Sequence, residues 1–105
     1  MTMEKETIRV DSDLSDLVPG FLARKRDDLH RILDATGKGD YSVITHLAHR
    51  IKGEGGSYGF DRMTELGRAM EEAARKQDAA TVERVSRELL NWLDRIEVVY
   101  QPGES

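Results

Sequence analysis

There is no cysteine anywhere in the chain, which excludes disulfides, a CxxC redox pair and a thiolate zinc site. Proline is nearly absent. Only Pro19 and Pro102 occur, both near the edges of the pattern, so long stretches are free of the residue that breaks helix interiors. No apolar run approaches the ~20 residues that crossing a bilayer requires, and no charged-then-apolar signal segment opens the chain. No membrane association is therefore expected, and a cytoplasmic protein is. Positive charge is not concentrated either. The net charge is −4, with Lys, Arg, Asp and Glu interspersed, which is not the basic footprint of a nucleic-acid binder. Internal repeats and low-complexity segments are also missing.

What remains is a well-charged chain of 105 residues, 38% hydrophobic and 34% charged. That length suits one small domain, and that composition suits amphipathic helices. Residues 1–9 show no period and are expected to be flexible. Val10, Leu14 and Leu17, with Asp11 and Ser12 as caps, predict a short covering helix. Pro19 suits the start of the next helix, along which Val18, Phe21, Leu22, Leu29, Ile32, Leu33 and Thr36 recur at spacings of three and four. Gly37 and Gly39 stop it, with Gly37 as the left-handed cap. Asp40 caps a helix whose inward stripe is Tyr41, Ile44, Leu47, Ala48, Ile51 and Gly55, ending near Gly59. Asp61 caps a third, with Met63, Leu66, Gly67, Met70, Ala73 and Ala74 inward. Asp78 opens the last, whose stripe runs through Val82, Val85, Leu89, Trp92, Leu93 and Ile96 to Val99 and Tyr100. Residues 102–105 read as a frayed tail.

Four amphipathic helices with short connections must bury their stripes against one another. The expected fold is therefore all-α, an antiparallel up-down-up-down four-helix bundle over residues 10–101, with the short N-terminal helix lying across one end. One bundle consumes the stripes, so a monomer is expected.

The chemically informative stretch is LAHRIKGEGGSYGF, Leu47 to Phe60. At ~100° per residue, Ile44, Ala48 and Ile51 point inward, while Thr45, His49, Lys52 and Gly56 share an adjacent side. Gly53, Gly55, Gly56 and Gly59 fall within seven residues, and each glycine inside a helix costs ~1 kcal/mol relative to alanine. Gly55 suits close approach of a neighbouring helix. Gly53 and Gly56 suit a flat shelf through which a partner protein reaches His49. Thr45, Gly53, Gly56 and Gly59 are accordingly the docking candidates. Lys52 lies one turn from His49. A cation there favours the neutral imidazole, whose nitrogen lone pair is nucleophilic, and offers a compact positive charge to an attached phosphoryl group. His49 also lies ten residues before the turn at Gly59, ~15 Å down its helix. The antiparallel third helix passes that level near Glu71, Glu72 and Arg75. Arg75 is thus a candidate second cation at the docking face if it leans toward His49, and otherwise a surface residue paired with Glu71 or Glu72. His46 and His49 form a two-histidine pair without the carboxylate–histidine motif of bundle metal sites, so no metal is expected. His30 reads as a surface residue, Tyr58 as either core or partner surface, and one of Phe21 and Leu22 as a possible exposed docking residue.

H-x-x-K-G, followed by small residues and a glycine ten positions after the histidine, resembles the histidine-containing phosphotransfer (HPt) domain. His49, Lys52, Gly53 and Gly59 match position by position. Ala48 and Phe60 also look like the family, and GGSYGF resembles its free-standing bacterial branch. The four-helix pattern, the extra N-terminal helix and the GD before the active helix fit as well. The resemblance implies a place in a two-component phosphorelay. His49 would accept a phosphoryl group from an aspartyl phosphate of a receiver domain, through the ring nitrogen farther from the backbone, and pass it to another receiver. Lys52 would stabilise the group. The implied partners are receiver domains of response regulators, a hybrid sensor histidine kinase, or both. The receiver would supply Mg²⁺ and most of the positioning, so this chain would bind no cofactor. It would be a phosphocarrier and not an enzyme, and no Gly-rich ATP loop or kinase motif is present. Glu54 departs from the pattern, where the family usually has a small or hydroxyl residue. Five residues beyond His49, it is rotated ~140° away around the helix. Two other readings share these features in part: an adaptor that holds a receiver or kinase without carrying phosphate, and a sink that drains a receiver to water.

Overall fold

Several helix ends fall where a side chain or glycine serves the unpaired backbone groups. The computed structural model describes residues 5–103. It contains α1 (Val18–Lys38), α2 (Tyr41–Ser57), α3 (Asp61–Arg75) and α4 (Ala79–Arg95), with strand β1 (Glu6–Asp11) before them and β2 (Ile96–Gln101) after them. Asp40 caps α2 by accepting from the Val43 N–H at 3.3 Å. Asp78 caps α4 by accepting from the Thr81 N–H at 3.1 Å. Such caps satisfy donors that the helix itself cannot. Asp61 was expected to cap α3, but Phe60 holds that position and Asp61 is the first helical residue, where its charge still complements the helix dipole. Gly37 stays helical; it is Gly39, at φ 69°, that turns the chain out of α1.

Consecutive helices pack side by side, and α4 returns to α1, which closes the four-helix bundle. The predicted stripes lie inside, except for Val99 and Tyr100 at the end of the last one, which are exposed. Leu29, Ile32, Ile44, Ile51, Met63, Met70, Val82, Leu89 and Trp92 are fully buried. So is Phe21, which is therefore no docking residue. Tyr58 stacks on it with ring centroids 4.1 Å apart, and Leu22 is half-buried.

The closest helix contact is between α2 and α3. A Cβ added at Gly67 would lie 2.7 Å from the Lys52 backbone nitrogen and 2.9 Å from its Cα. Gly55 makes a looser version of the same approach, with an added Cβ 3.0 Å from that of Met63. Because backbone cannot move aside as a flexible side chain can, Gly67→Ala should force the two helices apart. We expect a loss of about 1–3 kcal/mol, the usual cost of overpacking, read as a lower urea midpoint with an unchanged slope.

The two ends of the chain differ from expectation. Glu6–Asp11 is a strand, so residues 6–9 are not a flexible leader, and only a 3-10 turn at Ser12–Leu14 stands where a covering helix was expected. Residues 1–4 lie outside the described part. At the other end the backbone becomes extended at Ile96, at φ −77° and ψ 146°, so Val99 and Tyr100 are strand residues and not a last helical turn. β1 and β2 pair in parallel, with Glu6 opposite Ile96 and Asp11 opposite Gln101. The apolar residues Ile8, Val10, Ile96 and Val98 alternate and pack on the core, a period of two that suits strands. Ile96 and Val99 are also three apart, which is why a helical period seemed to continue. The strand closes a polar account as well: the fully buried Trp92 donates its indole N–H to Glu6 at 2.9 Å. Pro102 and Gly103 follow β2 without regular structure, and residues 104–105 lie outside the described part.

Candidate functional site

His49 stands halfway along α2 with its side chain 66% exposed. Its ring is not free. Nδ1 lies 2.8 Å from Oε2 of Glu71 on α3, and the Glu71 side chain is only 4% exposed. Lys52 donates to the other oxygen, Oε1, at 2.8 Å. Arg75 donates to Oε2 at 3.4 Å. One buried carboxylate thus gathers the histidine and both cations that the sequence had singled out.

The local fold explains the gathering. Gly67 seats α3 against the backbone of α2 at Lys52, and the Thr64 hydroxyl donates to the Lys52 carbonyl at 3.0 Å. One turn further along α3, Glu71 must then lie level with His49. A carboxylate so buried is tolerable only with charged or hydrogen-bonding partners. The Lys52 ammonium bonded to it holds the Glu71 carboxyl below its ordinary value of 4.5, against the opposing pull of burial and with help from His49 and Arg75.

Ionised Glu71 can only accept a hydrogen bond, so Nδ1 carries the proton and donates. The second ring nitrogen, Nε2, is then the one with a free lone pair, and the exposed side of the ring presents it. Lys52 was expected to act on the imidazole directly; its ammonium instead reaches the same carboxylate. Arg75 takes the pairing with Glu71 that the sequence had left open, and shares Oε2 with His49.

Tyr41, Thr45, His46, His49, Glu71 and Arg75 line an open groove of about 630 Å³ on the N-terminal side of the histidine. The Thr45 hydroxyl is turned to the Tyr41 carbonyl at 2.8 Å. On the C-terminal side an added Cβ at Gly53 would meet nothing within 4 Å, and one at Gly56 would meet only the Thr64 hydroxyl at 3.5 Å. That side is open, as the shelf reading requires. Gly59 has a backbone reason of its own, a φ of 83° in the α2–α3 turn, which glycine adopts without strain. Among the described residues no three His, Cys, Asp or Glu side chains converge as metal ligands, and no helix is long and apolar enough to cross a membrane.

Glu54 faces away from His49. It accepts from Lys25 on α1 at 3.1 Å and from Arg50 at 3.4 Å, and Lys25 also donates to Asp28 at 2.9 Å. Burial pushes the Glu54 carboxyl up, but Lys25 and Arg50 together outweigh it and leave it below its ordinary value of 4.5.

Both lowered carboxyls make stability depend on pH in one direction. Their contribution is complete above the unfolded value of 4.5 and is lost as pH falls through the lowered folded values. The urea midpoint should therefore stay flat from pH 7 to 5.5 and drop steeply below pH 4.5. A midpoint unchanged at pH 3.5 would contradict this.

Two features escaped the sequence reading. Counting residues from the turn placed Glu71 level with His49, but not its burial or its bond to the ring. The available signal was Gly67 one turn before it, which marks close helix contact. Lys25 gave no signal, because it sits in the charge-rich run ARKRDD that reads as a solvated face.

A family profile described as the Hpt domain matches residues 16–98, most of the chain. Comparison with curated proteins and with solved structures gave no significant match.

Proposed function

This chain belongs to the Hpt domain family, and on that premise we propose that His49 is its phosphoryl-accepting residue, taking the group from an aspartyl phosphate of a receiver domain and handing it to another. Histidine phosphotransfer in two-component signalling is the work of this family, whose members are phosphocarriers and not catalysts. The observation that carries the residue assignment is the His49–Glu71 bond at 2.8 Å. It supports a tautomer with the proton on Nδ1, in which Nε2, on an exposed ring, is the nucleophile.

In the transfer, the Nε2 lone pair attacks phosphorus and forms an N–P bond. The O–P bond of the acyl phosphate breaks, and the aspartate carboxylate leaves with the electron pair. Lys52 and Arg75 are the cations close enough to neutralise the incoming oxygens, and they can do so by exchanging Glu71 for the phosphoryl group. The partner contributes Mg²⁺ and in-line positioning, where phosphoryl-transfer catalysis largely lies. Docking falls on the face shared by α2 and α3, with Thr45 and Arg75 toward the groove and Gly53 and Gly56 leaving room at the other side. Gly59 shapes the turn that holds this face. Receiver domains, free or part of a hybrid sensor kinase, are the partners this face serves.

The test is a transfer assay. The protein is mixed with a phosphorylated receiver and Mg²⁺, and the chain is examined for acid-labile phosphate. Uptake followed by discharge to a second receiver is expected. Failure to take label from any receiver of the source organism would overturn the proposal in favour of an adaptor. Uptake followed only by release of inorganic phosphate would overturn onward transfer in favour of a sink.

A further inference from the structure

We propose that Glu71 sets the lifetime and transfer potential of the phosphohistidine by keeping the Nδ1 proton in place while Nε2 carries the phosphoryl group. The inference rests on the reading of His49 as the phosphoryl carrier and adds to it how the carrier lets go.

The electron count decides the chemistry. A neutral imidazole with its proton on Nδ1 becomes a phosphoimidazolium cation when Nε2 forms the N–P bond. If the proton stays, the next transfer returns the N–P electron pair to Nε2 and releases a neutral imidazole. If it is lost to solvent, the leaving group is an imidazolate anion, which leaves far less readily. The charged and titratable groups around the ring are Glu71 and Arg75 from α3, and Lys52 and His46 from α2. Only Glu71 is an anion, and its Oε2 is already 2.8 Å from Nδ1. Its side chain is 4% exposed, so the bond is shielded from water on the carboxylate side, although the ring itself is 66% exposed.

Capture also recruits Lys52 and Arg75 toward the phosphoryl oxygens. Glu71 then has fewer competing partners, and its hold on the Nδ1 proton tightens when the proton matters most. The arrangement makes this domain a carrier that releases readily, held in check by the two cations.

The experiment uses phosphoramidate, a non-protein donor whose P–N bond breaks with loss of ammonia as the histidine is phosphorylated. Its outcome is therefore independent of whether any receiver serves as partner. Wild type and Glu71→Gln are phosphorylated, and the His49 resonance is followed by phosphorus NMR, resolved from those of His30 and His46. Glutamine can still accept from Nδ1 through its carbonyl but lacks the charge. Above neutrality, loss of the charge should weaken proton retention about tenfold, equivalent to a pKa difference of about one unit. Hydrolysis at pH 8.5 should slow severalfold, with about tenfold as the limit reached only where the ring is mostly deprotonated in both proteins. At pH 5, where solvent protonates the ring in both proteins, the two lifetimes should converge. Equal lifetimes at pH 8.5, or the same ratio at both pH values, would overturn the proposal. A measurement on wild type alone guards against a variant that folds poorly. The long-range proton–nitrogen spectrum of the phosphorylated protein should show Nδ1 protonated at pH 8, and a deprotonated Nδ1 would be equally fatal.

Discussion

His49→Gln takes up no acid-labile phosphate from a phosphorylated receiver, while its unfolding midpoint stays within the range of an ordinary surface substitution. The expected loss of uptake is complete, because no other group in the site offers a nucleophilic nitrogen backed by a carboxylate. The small stability effect follows from exposure. The His49 side chain is 66% exposed, and substitutions at such positions usually shift stability by less than about 0.5 kcal/mol. Glutamine also carries an amide N–H that can replace Nδ1–H as donor to Glu71, so the buried carboxylate keeps a partner there in addition to Lys52. The informative control is His46→Gln. His46 lies one turn earlier on the same groove, but among the described residues no carboxylate bonds to its ring, and its replacement should leave label uptake intact. Label retained by His49→Gln and lost by His46→Gln would assign the chemistry to the wrong ring.

The bundle was legible because burial imposes a period. Stripes such as Ile44, Ala48, Ile51 and Val82, Val85, Leu89 can be satisfied only by packing on neighbouring helices, and they are found there. The termini were not, because a run such as Ile96, Val98, Val99 serves a strand or a last helical turn equally well. What decides between them is the partner strand some ninety residues away. The site was half legible. His49 and Lys52 share a helix, so their spacing places them together, as does the family pattern. The carboxylate that organises them comes from another helix, and its depth depends on how closely two backbones approach at Gly67. Local sequence holds that distance only as the absence of a side chain. Glu54 shows the same limit from the other side. Its rotation of ~140° from His49 could be counted from the sequence, but Lys25, the partner from another helix that holds it there, could not.

Lys25→Ala should be the most destabilising single substitution away from the apolar core. The Lys25 side chain is 0% exposed, 2.9 Å from Asp28 and 3.1 Å from Glu54, with its ammonium 5.6 Å from the centre of the Phe21 ring. It joins α1 to the C-terminal half of α2, the segment that Gly53, Gly55 and Gly56 weaken. Removing one partner of a buried ion pair typically costs about 3–5 kcal/mol, because the remaining charge stays behind without compensation. The Asp28 side chain, 8% exposed and left with only Arg31 at 3.8 Å, would bear most of that cost. Glu54 is 36% exposed and can turn to water or keep Arg50, which places the expected loss near the lower end, about 3 kcal/mol. Against a total stability of roughly 5–15 kcal/mol for a domain, that is a large share, and urea unfolding at pH 7 would read it directly. The same physics predicts the rescue. Lys25→Met combined with Asp28→Leu and Glu54→Gln removes the charges together and fills the space with apolar atoms, an exchange that is often neutral or stabilising. The triple variant should recover most of the loss. It should also accept phosphate as wild type does, because none of the three side chains faces His49. A triple variant as unstable as Lys25→Ala would mean that the cluster holds α1 to α2 by geometry that apolar side chains do not reproduce.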